Sequence, residues 1–426
     1  MQKIIKYFAT TVIVLFILSI FGWTVMHITK GDKQYNAVIS EPIKLLITFP
    51  DLFKATVKEV KTLPETFVKT PAGFKEINNL EIDVNALITY STSDYKRTIE
   101  LRNLRTDKSL YKWNVENPHN LQSRISDPLL LPNKEIVYSF TNGTGLTKID
   151  SLGNQIWKQT DMVHHHSLNL DSTGNIWACS YIKENSGFLV YKGAINLDTT
   201  VYNFIDNSIC QLDAQTGEIL LHKSIAEILF ENGLEHLIIK SDHPDDPFHL
   251  NDIEPALTTT KYYNEGDLFL SFRNISCILH YRPKTNKVIE VIEGAFYSQH
   301  DVDFIGDTAI SIFNNNAHVV RKNTATTWSL AKDQKNYGTL YSNILGYNLK
   351  SKTFFYIANE SFVENKIFTY TEGKAEQLPD GSVFVEEQNS GLLWVIKDEK
   401  VIYKGVYKSH HAGYHHLPNW TRIIND

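Results

Sequence analysis

The sequence predicts an all-β domain, a six-bladed β-propeller, behind an N-terminal transmembrane helix and a short helical stalk. Three observations lead to this prediction. Short apolar and aromatic runs broken by Gly, Asn and Asp fill the chain from about residue 82 onward. A pair of strands around a polar turn recurs at intervals of roughly 45–70 residues. Helical periodicity is nearly absent there, apart from residues 224–232.

The first element is an uncharged stretch from Tyr7 to Met26. Its length of about twenty residues is what a helix needs to cross a hydrocarbon core. The alternative is a cleaved signal peptide, whose apolar part is usually shorter and ends in small residues, whereas this stretch ends in Gly-Trp-Thr-Val-Met. We therefore predict a cytoplasmic N-terminus over 1–6 and an uncleaved signal anchor over 7–26, with the rest of the chain outside the cytoplasm.

The second element is a membrane-proximal stalk over 27–81. Apolar residues recur at spacings of three and four within 41–47 and 53–60, which predicts a short amphipathic helix. We expect this helix to pack on the main domain, and a helix lying in the membrane interface is the alternative.

The third element is the propeller itself, predicted over 82–426. Copies of the strand–turn–strand unit begin at Ile99, Leu146, Ile209, Ile278 and Leu345. Dividing about 340 residues by a blade of about fifty to sixty gives six blades, with five to seven allowed. We expect all of 82–426 to form one catalytic domain.

Composition excludes several classes of function. The net charge is −6 with both signs mixed along the chain, so no basic block indicates a nucleic-acid partner. Three cysteines are too few and odd in number for a disulfide framework, although Cys179 and Cys210 are a possible pair. No glycine loop of the phosphate-binding kind is present, so a nucleotide is not expected.

Four short clusters place cationic or cation-capable side chains beside strand-like stretches. They are the run of three histidines at 164–166, then His249, Arg273 and His300. A propeller brings the ends of its inner strands to one mouth of the central channel. We therefore expect a pocket of imidazoles and one guanidinium, which suits an anionic group that is held and transferred.

The order and spacing of these clusters resemble the bacterial, PAPS-independent arylsulfate sulfotransferases. The resemblance is carried by His165-His166, Phe248-His249-Leu250-Asn251, Ser271-Phe272-Arg273 and Gln299-His300-Asp301, with the Asn314-Asn315-Asn316 run behind them, and it covers about 163–316. The family fold is a six-bladed propeller. The first cluster of the family often reads His-His-Asp, whereas Ser167 follows the histidines here.

The resemblance implies a ping-pong transfer of a sulfuryl group from a phenolic sulfate ester to a phenolic acceptor. His300 would be the nucleophile that becomes sulfo-histidine, with Asp301 or a backbone carbonyl fixing its tautomer. Arg273 would stabilise developing charge. His249 and one of His165 and His166 would bind sulfuryl oxygens or exchange protons with the phenol. Asn251 would bind substrate by a further hydrogen bond.

The implied setting is a single-pass protein of the bacterial inner membrane with its propeller in the periplasm or outside the cell. No cofactor and no metal are expected, and a homodimer is a possible assembly. Two other functions stay open at this stage. One is an aryl sulfate hydrolase that uses the same pocket, and the other is a membrane-anchored binding module without catalysis. A purely structural role would account for any one of the histidine or arginine clusters. It accounts less well for four clusters in the order that the family shows.

Two further groups of residues have open interpretations. The histidine pairs 410–411 and 415–416 would bind a metal or would simply close the last blade near one mouth of the channel. Four aromatic residues are candidates for an apolar slot that holds the aryl ring, although most aromatics in such a fold belong to the core. They are Phe296, Tyr297, Tyr414 and Trp420.

Overall fold

The computed structural model describes residues 2–30, 42–43, 66–93, 96–117, 123–141, 145–182, 189–192, 201–321, 328–331 and 340–424. The chain divides into two compact units, Met1–Pro64 and Glu65–Asp426.

The first unit contains one long helix, α1 (Gln2–Lys30). Its stretch Ile5–His27 is long and apolar enough to cross a membrane. Four hydroxyl side chains along it donate to the carbonyl four residues earlier, which satisfies them inside the helix. The helix is thus a candidate membrane span or signal anchor, and the predicted anchor over 7–26 lies within it. The amphipathic helix predicted within 41–60 lies outside the described residues except 42–43.

The second unit is built from antiparallel sheets that follow one another along the chain. Strands are numbered in chain order. The first sheet contains, from the inner to the outer strand, β31 (Arg422–Ile424), β3 (Asn85–Ser93), β4 (Lys96–Asn103) and β5 (Lys108–Glu116). The second contains β6 (Ile125–Leu131), β7 (Glu135–Phe140), β8 (Leu146–Ile149) and β9 (Gln155–Gln159).

The next three sheets repeat the four-stranded pattern. The third contains β10 (Val163–Leu170), β11 (Ile176–Tyr181), β14 (Asn207–Leu212) and β15 (Ile219–Ser224). The fourth contains β16 (Leu250–Pro255), β17 (Leu268–Phe272), β18 (Cys277–Arg282) and β19 (Lys287–Ile292). The fifth contains β20 (His300–Ile305), β21 (Ala309–Asn314), β24 (Asn343–Asn348) and β25 (Thr353–Ile357).

The last sheet has seven strands. Its central meander is β26 (Lys374–Gln377), β27 (Val383–Glu387), β28 (Leu392–Lys397) and β29 (Lys400–Lys408). It is extended by β30 (Tyr414–His416), β1 (Phe67–Lys69) and β2 (Ile77–Asn78). The five four-stranded sheets and this meander form a β-propeller, and the blade count lies within the five to seven predicted.

The remaining elements are inserted between these strands. Two hairpins are β12 (Leu189–Lys192) with β13 (Val201–Phe204), and β22 (Val319–Arg321) with β23 (Trp328–Leu330). Three short α-helices are α2 (Ile225–Glu231), α3 (His236–Ile239) and α4 (Asn359–Asn365). Single 3₁₀ turns cover Pro132–Lys134, Pro283–Thr285 and Gln388–Ser390.

The sequence accounts for α2, the helix predicted within 224–232. The hydroxyl of Ser224 accepts the backbone N–H of Glu227 at 3.0 Å, which is an N-cap that satisfies one orphan donor of the first turn. The apolar face of the helix buries Ile225, Ile228 and Leu229 in the core between the third and fourth blades.

The ring is closed by pairing the two ends of the second unit. The C-terminal strand β31 pairs with β3, with Leu87 opposite Arg422. Around the channel, a side chain on one inner strand accepts a backbone N–H from the inner strand of the next blade. These acceptor and donor pairs are Asp127 with Leu168, Ser167 with Ile253, Asp252 with Val302, Asp301 with Ala375, and Glu376 with Ile423.

Residues 66–81 differ from the prediction of a helical stalk. They contain the short strands β1 and β2, which pair with β30 and β29 and so belong to the propeller unit. The three cysteines are free buried thiols. Cys179 and Cys210 lie on neighbouring strands but pack in different core clusters, which leaves the suggested disulfide unformed.

The pairing of three inner strands is irregular near their first residues. The register shifts between His164 and Leu168 in β10, between Leu250 and Asp252 in β16, and between His300 and Val302 in β20. Bulges of this kind bend a strand and redirect side chains, and they are common beside functional sites. Here they turn histidines from three successive blades toward the same end of the channel.

Candidate active site

Three imidazoles from three consecutive blades meet at this end of the channel. The Nε2 atoms of His166 and His249 are 3.1 Å apart, and their ring centroids are 5.1 Å apart. The ring of His300 lies 6.1 Å from that of His166. His166 and His249 have φ of 59° and 51°, in the left-handed region that non-glycine residues rarely adopt. Strained backbone of this kind persists where the surrounding fold holds it, and it clusters at functional sites.

The orientation of His300 is fixed by an amide. The Nδ2 atom of Asn315 donates to the carbonyls of Thr369 and Glu372 at 2.9 and 2.6 Å, so its oxygen is the atom that faces His300. That oxygen lies 2.7 Å from Nδ1 of His300. Because an amide oxygen only accepts, Nδ1 carries the proton and the lone pair of the neutral ring is on Nε2.

The electrostatic environment keeps this imidazole neutral. Burial lowers the pKa of His300 well below its usual 6.5, and the positive charge of Arg273 lowers it further. The pKa of His166 is also well below 6.5, first through burial and then through the neighbouring imidazoles and Arg273. At neutral pH both rings are therefore uncharged, so the lone pair of His300 is available for attack.

His249 differs because a carboxylate orients it. Its Nδ1 lies 2.7 Å from Oδ2 of Asp246, which is buried. A carboxylate accepts the Nδ1 proton of His249, whereas an amide oxygen takes that place beside His300. The Asp246–His249–His166 chain is thus an array of hydrogen bonds along which a proton can be held or released.

Arg273 directly follows β17, and its backbone is hydrogen-bonded to that of His249. Its N–H donates to the carbonyl oxygen of His249 at 3.2 Å, and the side chain is only 1% exposed. Its charge depresses the pKa of His300, His166 and His243, so the guanidinium lies amid the imidazoles. A guanidinium buried among neutral rings is a strong site for an anionic group.

The histidine run divides its members between different environments. His166 contacts His249 and His300, as described above. His165 stacks on Tyr181 with centroids 4.1 Å apart and lies 6.2 Å from His249, at the border of the cluster. His164 is buried on β10, where burial and the charge of His222 lower its pKa to about 3. Of the two candidates, His166 is the one placed within the cluster.

Asn251 supports the site from behind. Its Nδ2 donates to the carbonyl oxygen of Gln299 at 2.8 Å, and the side chain is fully buried. Gln299 in turn donates to Ser271, Phe272 and Cys277, each at 3.1 Å. These bonds fix the backbone that carries His300, so one amide hydrogen of Asn251 is committed to positioning.

Asp301 or a backbone carbonyl was expected to fix the tautomer of His300, but the Asn315 amide oxygen faces Nδ1 instead of either. Oδ2 of Asp301 accepts the backbone N–H of Ala375 at 2.7 Å, which is one of the hydrogen bonds between inner strands of neighbouring blades. Its Oδ1 lies 3.7 Å from Nζ of Lys374, which also lies 3.6 Å from Asp127. Although burial alone would lower it, these two carboxylates raise the pKa of Lys374. The ammonium group therefore links Asp127 of the second blade to Asp301 of the fifth.

Of the four aromatic candidates for an aryl slot, Trp420 is placed against the imidazoles. Its ring stacks on His166 with centroids 5.0 Å apart and an angle of 27°. Phe296 packs in the core on Phe354, and Tyr297 packs against His318. Tyr414 lies on β30 of the last sheet and is partly exposed.

The second histidine group holds strands together. Nδ1 of His415 pairs with the Thr70 hydroxyl at 3.0 Å, and its Nε2 lies 2.9 Å from the Ser390 carbonyl oxygen. His416 packs between Phe67 and Tyr90. Within the residues that the structure describes, no three His, Cys, Asp or Glu side chains are grouped to hold a metal ion.

A cavity of about 210 Å³ lies away from the imidazoles, between the first blade and the last sheet. Two carboxylates of its lining are paired with neighbouring side chains. Buried Glu100 accepts from Tyr90 and Arg102 at 2.6 and 3.0 Å, and Glu76 pairs with Lys408 at 2.9 Å. The cavity therefore lacks the convergent reactive groups of the imidazole cluster, which is the better candidate for chemistry.

Two site residues escaped the sequence prediction. Asn315 lies in the Asn314-Asn315-Asn316 run, which follows the His300 element by about one hairpin. This run of asparagines is the sequence feature that could have identified it. Asp246 precedes His249 by three residues, a spacing that carries a signal only once the connecting turn is known. Neither contact follows from strand periodicity.

Comparison with known proteins gives a family and several solved structures of similar fold. Two of the solved structures that resemble this chain share little sequence with it. A Bacteroides caccae protein of unknown function is 12% identical with a TM-score of 0.50, and the match covers 81% of this chain and 100% of that one. A Staphylococcus aureus virginiamycin B lyase is 10% identical with a TM-score of 0.41, covering 78% and 88%. No functionally curated protein matches the chain.

The first of these likenesses concerns the fold alone, and the second has too low a TM-score to support an argument. Residues 127–403, more than half of the chain, match the family model described as arylsulfotransferase (ASST). The matched range contains His166, His249, Arg273 and His300. The chain therefore belongs to the arylsulfotransferase family.

Proposed function

We propose that this protein transfers a sulfuryl group from a phenolic sulfate ester to a phenolic acceptor, without PAPS, through a sulfo-histidine on His300. The observation that carries the proposal is the bond from His300 to the Asn315 amide oxygen, which leaves Nε2 as a neutral nucleophile in a buried, cationic site. A neutral imidazole is nucleophilic only through its unprotonated nitrogen.

The first half-reaction is a displacement at sulfur. The Nε2 lone pair of His300 forms the N–S bond while the bond from sulfur to the phenolic oxygen breaks, and the electron pair leaves with that oxygen. The guanidinium of Arg273 stabilises negative charge on the sulfuryl oxygens. A proton held by the His249–His166 pair passes to the departing phenolate, and the carboxylate of Asp246 favours the protonated form of His249 that supplies it.

The second half-reaction reverses these roles. The acceptor phenol gives its proton to the imidazole pair, its oxygen attacks sulfur, and the N–S bond returns its electrons to Nε2 of His300. Because one site serves donor and acceptor in turn, ping-pong kinetics follow. The Asn315 amide holds Nδ1–H throughout, so the nucleophile is regenerated in the same tautomer.

The other site residues have supporting roles in this proposal. His165 borders the site and takes part in substrate binding. Asn251 acts mainly by positioning His300, since its amide holds the preceding carbonyl. The small molecules involved are a phenolic sulfate donor and a phenolic acceptor. We propose that α1 anchors the protein in a bacterial inner membrane, with the propeller in the periplasm or outside the cell. A homodimer stays a prediction, to be measured by light scattering on the detergent-solubilised protein.

The test uses full-length protein in detergent with 4-nitrophenyl sulfate, with and without phenol. Release of nitrophenolate that requires phenol and disappears in His300→Ala supports the transfer. His318→Ala, which alters a histidine packed on Tyr297 instead, should keep the activity. Release without phenol indicates hydrolysis from the same site. No release with any of several aryl sulfates would favour a binding module and contradict the proposal.

A further inference from the structure

Trp420 completes the imidazole cluster from the far end of the chain. It lies beyond the matched range 127–403, just before β31. Its ring stacks on His166 and meets the ring of His300 edge-on, with centroids 6.3 Å apart at 83°. The side chain is only 5% exposed. Trp420, which borders both imidazoles, therefore belongs to the C-terminal segment that closes the circle of blades.

The backbone at this position is held in an unfavourable conformation. Trp420 has φ of 57°, in the left-handed region where a bulky residue is a rare outlier. The two oxygens of buried Glu386 accept the N–H groups of Trp420 and Thr421, each at 2.8 Å. Asn419 donates to the carbonyl of Ile125 at 3.0 Å. Strain held by this many bonds is typical of a side chain that a site requires in one place.

The indole N–H of Trp420 makes no hydrogen bond to the described residues. Its nitrogen, Nε1, is buried. The indoles of Trp113, Trp157 and Trp394, by contrast, donate to Lys134, Ala214 and Glu387. A buried donor without an acceptor is unfavourable, and native proteins rarely keep one without a functional reason.

An aryl ring is not the expected partner of Trp420. One face of the indole is already covered by His166, and the side chain is almost fully enclosed. These contacts leave little of the ring to serve as a platform for a phenol. The remaining chemical capacity of the side chain is its N–H, which is a donor that cannot release its proton at neutral pH.

We propose that the indole N–H of Trp420 donates to an oxygen of the sulfuryl group during transfer, as a catalytic donor beside Arg273. This inference rests on the proposed function and names a further group of the same site. Trp420 borders both His166 and His300, which places its side chain beside the proposed nucleophile. We infer that its N–H meets a group to the side of the line along which His300 attacks. The sulfuryl oxygens point sideways from that line, whereas the phenolic oxygen leaves along it.

The test compares Trp420→Phe with wild type as full-length protein in detergent. Phenylalanine keeps an aromatic ring against His166 but removes the donor. We expect kcat/KM for aryl sulfates to fall by about 100- to 1,000-fold, as for loss of one donor to a developing anion. The loss should be equal for donors whose phenols differ in pKa. Trp157→Phe, which removes an indole donor from β9 on the outer edge of the second blade, should leave kcat/KM unchanged.

A binding measurement separates this inference from the proposed function. Calorimetry with inorganic sulfate should show weaker binding to Trp420→Phe than to wild type, even if no donor turns over. In unaltered protein labelled with ¹⁵N at the indoles, one indole resonance should shift on titration with sulfate, which tests the contact without any variant.

Three outcomes would overturn the inference. Equal sulfate binding by wild type and Trp420→Phe, with no shifted indole resonance, would exclude the contact. Unchanged kcat/KM in a folded Trp420→Phe would exclude a role in transfer. A loss that grows with the pKa of the leaving phenol would place the donor on the phenolic oxygen instead.

Discussion

Nδ1 of His300 lies 2.7 Å from the amide oxygen of Asn315, and no carboxylate takes that place. A carboxylate would hold the same tautomer but would also stabilise the imidazolium, because opposite charges favour each other. The amide orients the ring as an uncharged partner. Its hydrogen bond raises the pKa of His300, but burial and the charge of Arg273 outweigh it and keep that pKa well below 6.5. A histidine that must attack rather than accept a proton is best served by this neutral partner.

Replacing Asn315 tests that distinction. Asn315→Leu should lower kcat/KM by about 10- to 100-fold, since the ring loses the partner that fixes its tautomer. Asn315→Asp loses the two Nδ2 bonds to Thr369 and Glu372 but keeps an oxygen that can accept Nδ1–H, and its negative charge should raise the pKa of His300. In wild type that pKa is well below 6.5, so activity should persist into the acid range, and the acid limb of the pH–rate profile should move to higher pH in Asn315→Asp. Asn316→Asp places a charge on the neighbouring residue and should shift the limb much less. An unshifted limb in Asn315→Asp would contradict the role given to the amide.

Asp246 should matter most for poor leaving groups. Asp246→Asn removes the carboxylate that favours protonated His249, so less acid is available to the departing phenolate. We expect kcat/KM to fall more steeply as the pKa of the leaving phenol rises. The measurement is a series of substituted phenyl sulfates on both proteins. Parallel plots for wild type and Asp246→Asn would show that this chain does not protonate the leaving group.

His164 should make the fold sensitive to acid. Burial lowers its pKa to about 3 in the folded protein, against about 6.5 in an unfolded chain. The unfolded state therefore binds the proton first as pH falls below about 6.5, and stability is lost from there down to the folded pKa. In His164→Leu the unfolded state takes up one proton fewer as the pH falls. The slope of the free energy of unfolding against pH should therefore be smaller by about 1.4 kcal/mol per pH unit between about pH 6 and 4. Denaturant unfolding across this range checks it. Equal slopes for the two proteins would show that His164 is already protonated in the fold.

Lys374 should contribute to stability because it cross-links two blades. Lys374→Met leaves Asp301 without its ammonium partner and Asp127 with Arg422 alone, and breaking a buried pair costs about 3–5 kcal/mol. Lys408→Met removes the exposed pair with Glu76 and should cost far less. Urea unfolding of the two variants measures the difference. Equal losses would mean that the channel carboxylates are held by other partners such as Arg422.

The fold was predictable because its signals are local. Strands such as Cys277–Arg282 and hairpin turns such as that after Ile149 are visible as apolar alternation and Asp-Gly punctuation. The strands β1 and β2 were not predictable. They have three and two residues and pair with β30 and β29, which lie more than 300 residues later in the chain. So short a segment has no periodicity to detect, and its partner is set by tertiary structure.

The cluster of histidines and arginine was predictable where reactive residue types stand beside strands. His249, Arg273 and His300 were found in this way, and the structure brings them together with His166. Asn315, Asp246 and Trp420 were not assigned their contacts, because each acts through a loop or a chain end whose place depends on closure of the ring. Sequence spacing identifies the reactive groups, whereas the groups that orient them become visible only in three dimensions.

The central claim is a covalent intermediate on His300, and mass spectrometry tests it most directly. Full-length protein mixed with 4-nitrophenyl sulfate without an acceptor, then digested under alkaline conditions that preserve N-sulfonates, should give a peptide containing His300 heavier by one SO₃ group. Addition of phenol before digestion should remove the label. Label on another residue, or none while nitrophenolate is released in the presence of phenol, would contradict the proposed nucleophile.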